Sequence, residues 1–192
     1  MHYLAFLLLL LSLSCKEQDK SLASPDQVAE IATRDTLVPV FKNASYGATI
    51  SGKKEGYWKY FYPDTSIAEQ GNYEAGLKEG WWESYYFDGQ IKTKGNYQKG
   101  KKEGHWESFS SNGQVQEIGN YDQDLKTGWW KEFNEQGELL REGRYMANHK
   151  QGHWIYYSQG IIEQEGNYDK GKPVGTWKYY KNGKLVSTFD YE

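Results

Sequence analysis

The sequence predicts an all-β chain: a single-layer antiparallel meander of about six β-hairpin repeats, each 23–24 residues long. Three observations carry that prediction. The pair G-x-W recurs at Gly56/Trp58, Gly80/Trp82, Gly104/Trp106, Gly128/Trp130, Gly152/Trp154 and Gly175/Trp177. A second pair, G-x-Y, recurs in phase at Gly71/Tyr73, Gly95/Tyr97, Gly119/Tyr121, Gly143/Tyr145 and Gly166/Tyr168. Between the two marks stand turn dipeptides such as Asp88-Gly89, Asn112-Gly113 and Asn182-Gly183, each flanked by strand-forming residues.

The chain divides into three parts. Residues 1–14 form a signal peptide: the apolar run from Tyr3 to Leu13 is too short to span a bilayer, which takes about 20 residues. Residues 15–45 hold Cys15 and a flexible linker, with a short helix expected over Asp26 to Arg34. Cys15 is the only cysteine, so no intramolecular disulfide forms. Its place after Ser12-Leu13-Ser14 resembles a bacterial lipobox, which implies lipidation of Cys15; an ordinary cleaved signal and an uncleaved anchor stay open. Residues 46–192 form the repeat array. A net charge of −3 gives no basis for nucleic-acid binding, which needs Lys and Arg clustered on one face. An aromatic content of 17% suits a thin sheet covered by flat rings.

Within a repeat, a two-residue turn at Asp88-Gly89 sets Trp82 opposite Gly95, Ser84 opposite Thr93 and Tyr86 opposite Ile91. Glu83 then meets Lys94 on the other face, a favourable cross-strand pair. The fourth repeat gives the same pairing, with Trp130 facing Gly143, Lys131 facing Glu142 and Glu132 facing Arg141. The glycines Gly71, Gly95, Gly119, Gly143 and Gly166 leave room for an indole of the neighbouring strand. Trp58, Trp82, Trp106, Trp130, Trp154 and Trp177 are therefore structural. A second turn falls at Gly52, Gly76, Gly100, Asp124, Asn148 and Gly171, the three residue types that best accept positive φ. The fifth and sixth repeats are one residue shorter between Trp and turn, so either their register shifts or their loops differ.

Strand alternation puts the ladder tryptophans and the aromatic residue three positions later on opposite faces. Both faces then carry rings and at least one is left open; Trp81, Tyr85, His105, Phe109, Trp129, Phe133, His153 and Tyr157 are the candidate binding residues, read either as a binding stripe or as rings that cover a thin sheet. Lys54, Lys78, Lys102, Lys126 and Lys150 form a basic row along one edge, read either as solvated turn residues or as a binding stripe.

The unit G-x-W-x-x-[FY], followed by G-x-[ILV], G-x-Y and a [GND] turn, resembles the bacterial variant of the MORN repeat. The resemblance covers about three-quarters of the chain and implies a single-layer twisted sheet used for binding or scaffolding. Some bacterial members carry an antitoxin label. Thr65 replaces the hairpin glycine in the first unit, and Phe189 replaces the G-x-Y glycine in the last, as terminal caps do.

No catalytic set, metal site or cofactor is expected. His2 leaves with the signal peptide, and His105 and His153 lie two repeats apart, about 19 Å at the spacing of paired strands. His149 and His153 have no third ligand nearby. Glu55, Glu79 and Glu103 recur only because the repeat does. The function expected is a non-enzymatic, lipid-anchored protein of the bacterial cell envelope, at the outer membrane or cell surface. Its sheet binds a protein partner; the alternatives are glycan or cell-wall binding through the aromatic face, or an antitoxin or immunity role.

Overall fold

The computed structural model describes residues 45–192, which form one open antiparallel sheet of thirteen strands arranged in sequence order. The signal peptide expected at 1–14, Cys15 and the helix expected at 26–34 lie outside the described residues. The strands are β1 (Ser45–Ile50), β2 (Lys53–Phe61), β3 (Ile67–Glu74), β4 (Leu77–Tyr85), β5 (Ile91–Gln98), β6 (Lys101–Phe109) and β7 (Val115–Asp122). They continue as β8 (Leu125–Phe133), β9 (Leu139–Met146), β10 (His149–Ser158), β11 (Ile161–Asp169), β12 (Lys172–Lys181) and β13 (Lys184–Tyr191). The all-β meander is as the sequence predicts, one hairpin per repeat from β2–β3 to β12–β13. Strand β1 is additional, and Ser45, placed in the linker by sequence, opens it.

The hairpin turns differ from expectation. Asp88-Gly89 is not a two-residue turn: Tyr86 N–H donates to Gln90 O (2.8 Å) and Gly89 N–H donates to Tyr86 O (2.9 Å). The loop is thus Phe87-Asp88-Gly89, with Gly89 in the left-handed conformation at φ 85° that closes three-residue hairpins. Tyr85, not Tyr86, faces Ile91, while Ser84 still faces Thr93, so Lys92 bulges out of β5. The bulge restores the register Trp82↔Gly95 and Glu83↔Lys94 that the sequence suggests. In the fifth and sixth hairpins the loops shorten to Gln159-Gly160 and Asn182-Gly183, with both residues at positive φ. Trp154 still faces Gly166, and Trp177 faces Phe189. The missing residue is taken from the loop, and the ladder does not shift.

The turns between repeats have two residues at positive φ, for example Lys99 (49°) with Gly100 (81°) and Gln123 (50°) with Asp124 (70°). Where Asp or Asn replaces Gly the side chain returns a bond: Asp124 Oδ1 accepts Lys102 N–H and Asn148 Oδ1 accepts Lys126 N–H, both at 2.7 Å. The recurring acids act here too. Glu55, Glu79 and Glu103 accept the backbone N–H of Ala75, Lys99 and Gln123 in the next turn along the array, and Gln151 does the same for Lys170.

Among the described residues the buried hydrophobic ones are the six ladder tryptophans, each no more than 6% exposed. How they are buried follows from an irregularity at each G-x-W. Gly71 faces Trp82 and Asn72 faces Glu79, so Gly80 and Trp81 have no partner on β3. Gly80 takes φ +69° to make that excursion. It lies inside β4, three residues after the strand begins at Leu77. The excursion frees the Asn72 carbonyl, and the Trp82 indole N–H occupies it at 2.9 Å. Every ladder tryptophan makes the equivalent bond, at 2.9–3.2 Å.

The indole consequently lies over the glycine of the preceding strand, not over the glycine of its own hairpin. A Cβ on Gly95 would sit 2.3 Å from Trp106, the next repeat's tryptophan, although Gly95 pairs with both Trp82 and Trp106. The glycine–indole contact therefore joins repeats to one another. Gly47 on β1 plays this part for Trp58, a role absent from the sequence reading. On β13 the corresponding slot, opposite Trp177, holds Phe189 in place of glycine.

Tyrosines fill the gaps between indoles. Tyr73 stands edge-on to Trp58 (5.9 Å) and Trp82 (5.0 Å), Tyr97 to Trp82 (6.0 Å) and Trp106 (5.0 Å), and so on to Tyr191 beside Trp177. Edge-to-face contacts of this kind contribute about 0.5–1.5 kcal/mol each beyond area burial. The lysine row belongs to the same layer. It is not a solvated edge: Lys78 Nζ lies 4.1 Å from the centre of the Trp82 ring, Lys102 Nζ 4.4 Å from Trp106 and Lys126 Nζ 4.1 Å from Trp130. Lys78 also pairs with Glu69, and Lys126 with Glu117. Aliphatic stems cover the rings while the ammoniums meet the π-clouds, so this face closes itself without a second layer.

Candidate functional site

The other face of the single sheet has no such cover. Its first row comes from the x of each G-x-W, the residue carried out by the excursion. Trp81 is 47% exposed and Trp129 57%, with His105 and His153 also exposed in the same slot. Tyr57, 50% exposed, begins the row. It was missed in the sequence reading although it shares the slot. Each of these side chains is paired with an exposed polar residue on the next strand: Tyr57 with Asn72, Trp81 with Asn96, His105 with Asn120, Trp129 with Arg144 and His153 with Asn167.

The second row is charged and ordered by its neighbours. Glu83 accepts bonds from Trp81 Nε1 (3.1 Å), Tyr85 OH (2.5 Å) and Gln70 Nε2 (2.9 Å). These donors, Tyr85 first and Trp81 next, hold its carboxyl below the usual carboxylate range, and burial together with Glu83 pushes the Tyr85 phenol up. Glu107 pairs with Lys94 (2.9 Å) and lies 3.3 Å from His105 Nε2. Burial would raise its carboxyl, but Lys94 and His105 outweigh that and keep it low. Glu165 repeats the theme, held low first by Tyr180 OH (2.7 Å) and then by Lys178 (3.3 Å) and His153 (3.3 Å).

The third row is apolar. Phe109 faces Val115, Phe133 faces Leu139 and Tyr157 faces Ile162, all half-buried. Tyr157 donates to Glu142 (2.7 Å), and burial pushes its phenol up to about 12. The sequence-predicted residues thus share one face but do not converge on one point. Trp81, Glu83 and Tyr85 form one cluster, and His105, Glu107, Lys94 and Phe109 a second, with Lys94 Nζ 5.1 Å from the Phe109 ring centre. Trp129 and Phe133 lie four strands beyond Trp81, about 19 Å away.

This arrangement suits contact more than chemistry. The carboxylates are already ionised and paired, and among the described residues no group of three His, Cys, Asp or Glu is placed to hold a metal ion. On the tryptophan side a cavity of about 30 Å³ lies beside Thr93, Ser108 and Lys102, room for about one water. A shallow hollow of about 190 Å³ lies between the turns of the last two hairpins, beside Gln159, Ile161, Tyr180 and Asn182.

Comparison with known protein families agrees with this architecture. The model of the MORN repeat variant matches residues 78–99 and 102–123, two adjacent repeats running from β4 to β7. The same glycine, tryptophan and tyrosine slots extend through the other hairpins, with Phe189 in the glycine slot of the last. No curated protein matches the chain. The repeat match suggests a binding or scaffold role built on repetition.

Proposed function

We propose that the protein is a non-enzymatic module that binds a protein partner on its uncovered face, held at the bacterial envelope by a lipid on Cys15. The observation that carries the reading is the asymmetry of the sheet. One face is sealed by its own tryptophans, lysines and tyrosines, while the other leaves Tyr57, Trp81 and Trp129 about half exposed beside a continuous apolar row. Exposed Trp and Tyr next to half-buried apolar area are the usual anchors of protein interfaces. Prealigned carboxylates and lysines between them supply the polar contacts that select a partner.

The test is cross-linking of the full chain in its native envelope, comparing wild type with the Trp81→Ala/Trp129→Ala variant. Anchors of this type are worth about 2 kcal/mol or more each, so loss of both removes capture of the partner while the fold persists. Equal capture by the variant counts against the reading. Fatty-acid labelling of wild type against Cys15→Ala tests the anchor separately. A second reading, glycan binding, is favoured by one observation: neighbouring slots repeat at about 9.6 Å, two strand spacings, and pair rings with Asn amides. Pelleting with isolated cell wall, lost in the same variant, distinguishes it.

A further inference from the structure

Asparagine followed by glycine occurs twice in the chain, at Asn112-Gly113 and Asn182-Gly183, both in hairpin turns and both exposed. The two turns are built differently. In the three-residue loops the glycine N–H is engaged: Gly113 donates to Ser110 O (2.9 Å), as Gly89 does to Tyr86 O and Gly137 to Asn134 O. Asn112 is engaged as well. Its Oδ1 accepts the Ser110 hydroxyl and Gln114 N–H (3.1 Å), and its Nδ2 donates to Glu135 O (2.7 Å) on the next hairpin. The last hairpin closes instead through a two-residue loop between Lys181 and Lys184, with Asn182 at φ 49° and Gly183 at φ 73°. Among the described residues Gly183 N–H and the Asn182 amide have no hydrogen-bond partner. Gln159-Gly160 makes the same kind of turn one repeat earlier. There the longer glutamine side chain would have to close a six-membered ring, a much slower reaction.

We propose that Asn182-Gly183 is a site of self-modification, where Asn182 converts to aspartate and isoaspartate through a cyclic imide while Asn112 is held back by the fold. The Gly183 nitrogen gives its proton to solvent base and attacks Cγ of Asn182. An N–Cγ bond forms, the Cγ–Nδ2 bond breaks, and Nδ2 leaves as ammonia with one proton from water. Glycine has no side chain to obstruct the attack, and Lys181 and Lys184 on either side favour the negative charge of the deprotonated nitrogen. Water then opens the imide at Cγ to give aspartate, or at the main-chain carbonyl carbon to give isoaspartate. One water is taken up and one ammonia released, with no change of oxidation state. Either product puts a carboxylate between two lysines, beside the hollow that Asn182 lines. Isoaspartate also adds a carbon to the main chain of a loop whose length fixes the pairing of Lys181 with Lys184. Asparagine and glycine are the residues that accept positive φ in so tight a turn, so the chemistry that builds the turn also makes it reactive.

Peptide mass spectrometry of the full chain, aged in mildly alkaline buffer with and without urea, tests this. In the folded chain Asn182 is expected to convert roughly tenfold or more faster than Asn112, whose hydrogen bonds must open first. In urea, where neither turn persists, the two rates are expected to converge to within a few-fold. Equal rates in the folded chain, or an Asn182 that stays intact there while both sites convert in urea, overturns the proposal. The same difference persisting in urea also overturns it, because local sequence and not the turn would then set the rates. Asn182→Gln is expected to abolish the change in the peptide of the last hairpin, and a mass gain that survives the substitution overturns the assignment. Tryptophan emission, reporting the buried ladder, verifies that the aged chain and the variant are folded.

Discussion

Substituting Gly119 by alanine probes the contact that joins the repeats. Its new Cβ would lie 2.2 Å from Cδ2, 2.4 Å from Cε2 and 2.6 Å from Cγ of Trp130. These atoms are the rigid centre of the indole, not the end of a flexible side chain. The ring is also confined, with Tyr121 at 5.1 Å, Tyr145 at 6.1 Å and its N–H bound to Asn120 O at 3.1 Å. Overpacking costs about 1–3 kcal/mol, and losing the indole hydrogen bond adds about 1 kcal/mol. The expected destabilisation is therefore about 2–4 kcal/mol. Expelling the indole altogether sets a ceiling of about 4–6 kcal/mol, from 150–250 Å² of buried aromatic surface at about 25 cal/mol per Å². The control is Gly104→Ala: Gly104 has φ +66° and nothing within 4 Å of its Cβ position, so only the left-handed backbone resists, at about 1–2 kcal/mol. Urea unfolding followed by tryptophan emission and near-ultraviolet circular dichroism compares the two. Equal destabilisation, or an unchanged tryptophan signal in Gly119→Ala, would refute the account of an indole lying over glycine.

Three further outcomes follow from the same face and its neighbour. Burial pushes the phenols of Tyr97 and Tyr145 up to about 12 from an ordinary value of 10.0, and Tyr60, Tyr121 and Tyr156 are also raised. All are neutral in both states below pH 10, so their contribution is intact there. As pH rises from 10 towards 12 the unfolded chain loses protons that the folded chain keeps, and stability falls. Lys102 and Lys150, lowered by burial, act in the opposite sense but are fewer. Urea midpoints at pH 8, 10 and 11.5 check this, and a rise across that range contradicts it. Lys126→Ala removes the ammonium over Trp130 and the 3.0 Å pair with Glu117, and is expected to cost about 1–2 kcal/mol in thermal or urea unfolding. Trp81→Ala/Trp129→Ala, by contrast, is expected to leave the midpoint nearly unchanged, because both rings project from the open face.

Much of the candidate site was legible as period. Trp81, His105, Trp129 and His153 stand out because they share one position in a repeat whose alternation assigns them a face. Tyr57 carries the same signal, as the middle residue of the first G-x-W. The lysine row was misjudged for a physical reason. A lysine four residues before a tryptophan looks like a turn residue in sequence. Its long stem nevertheless reaches over the ring once the excursion at glycine turns the indole toward the preceding strand. The two-residue reading of Asp88-Gly89 failed similarly, since a three-residue loop plus a bulge at Lys92 gives the same Trp82↔Gly95 pairing as a tight turn would.

The sequence by itself determined the all-β class, the number of hairpins and the positions of both kinds of turn. Those depend on local chemistry: strand-forming runs, and the few residues that accept positive φ. Only the tertiary structure decided which glycine each tryptophan covers. Gly95 faces two tryptophans in the ladder, and pairing alone cannot choose between them. The choice rests on the carbonyl freed at Asn96, which accepts the Trp106 N–H at 3.0 Å and draws the indole across the boundary between repeats. That bond links separate hairpins into one sheet, seals one face, and leaves the other uncovered.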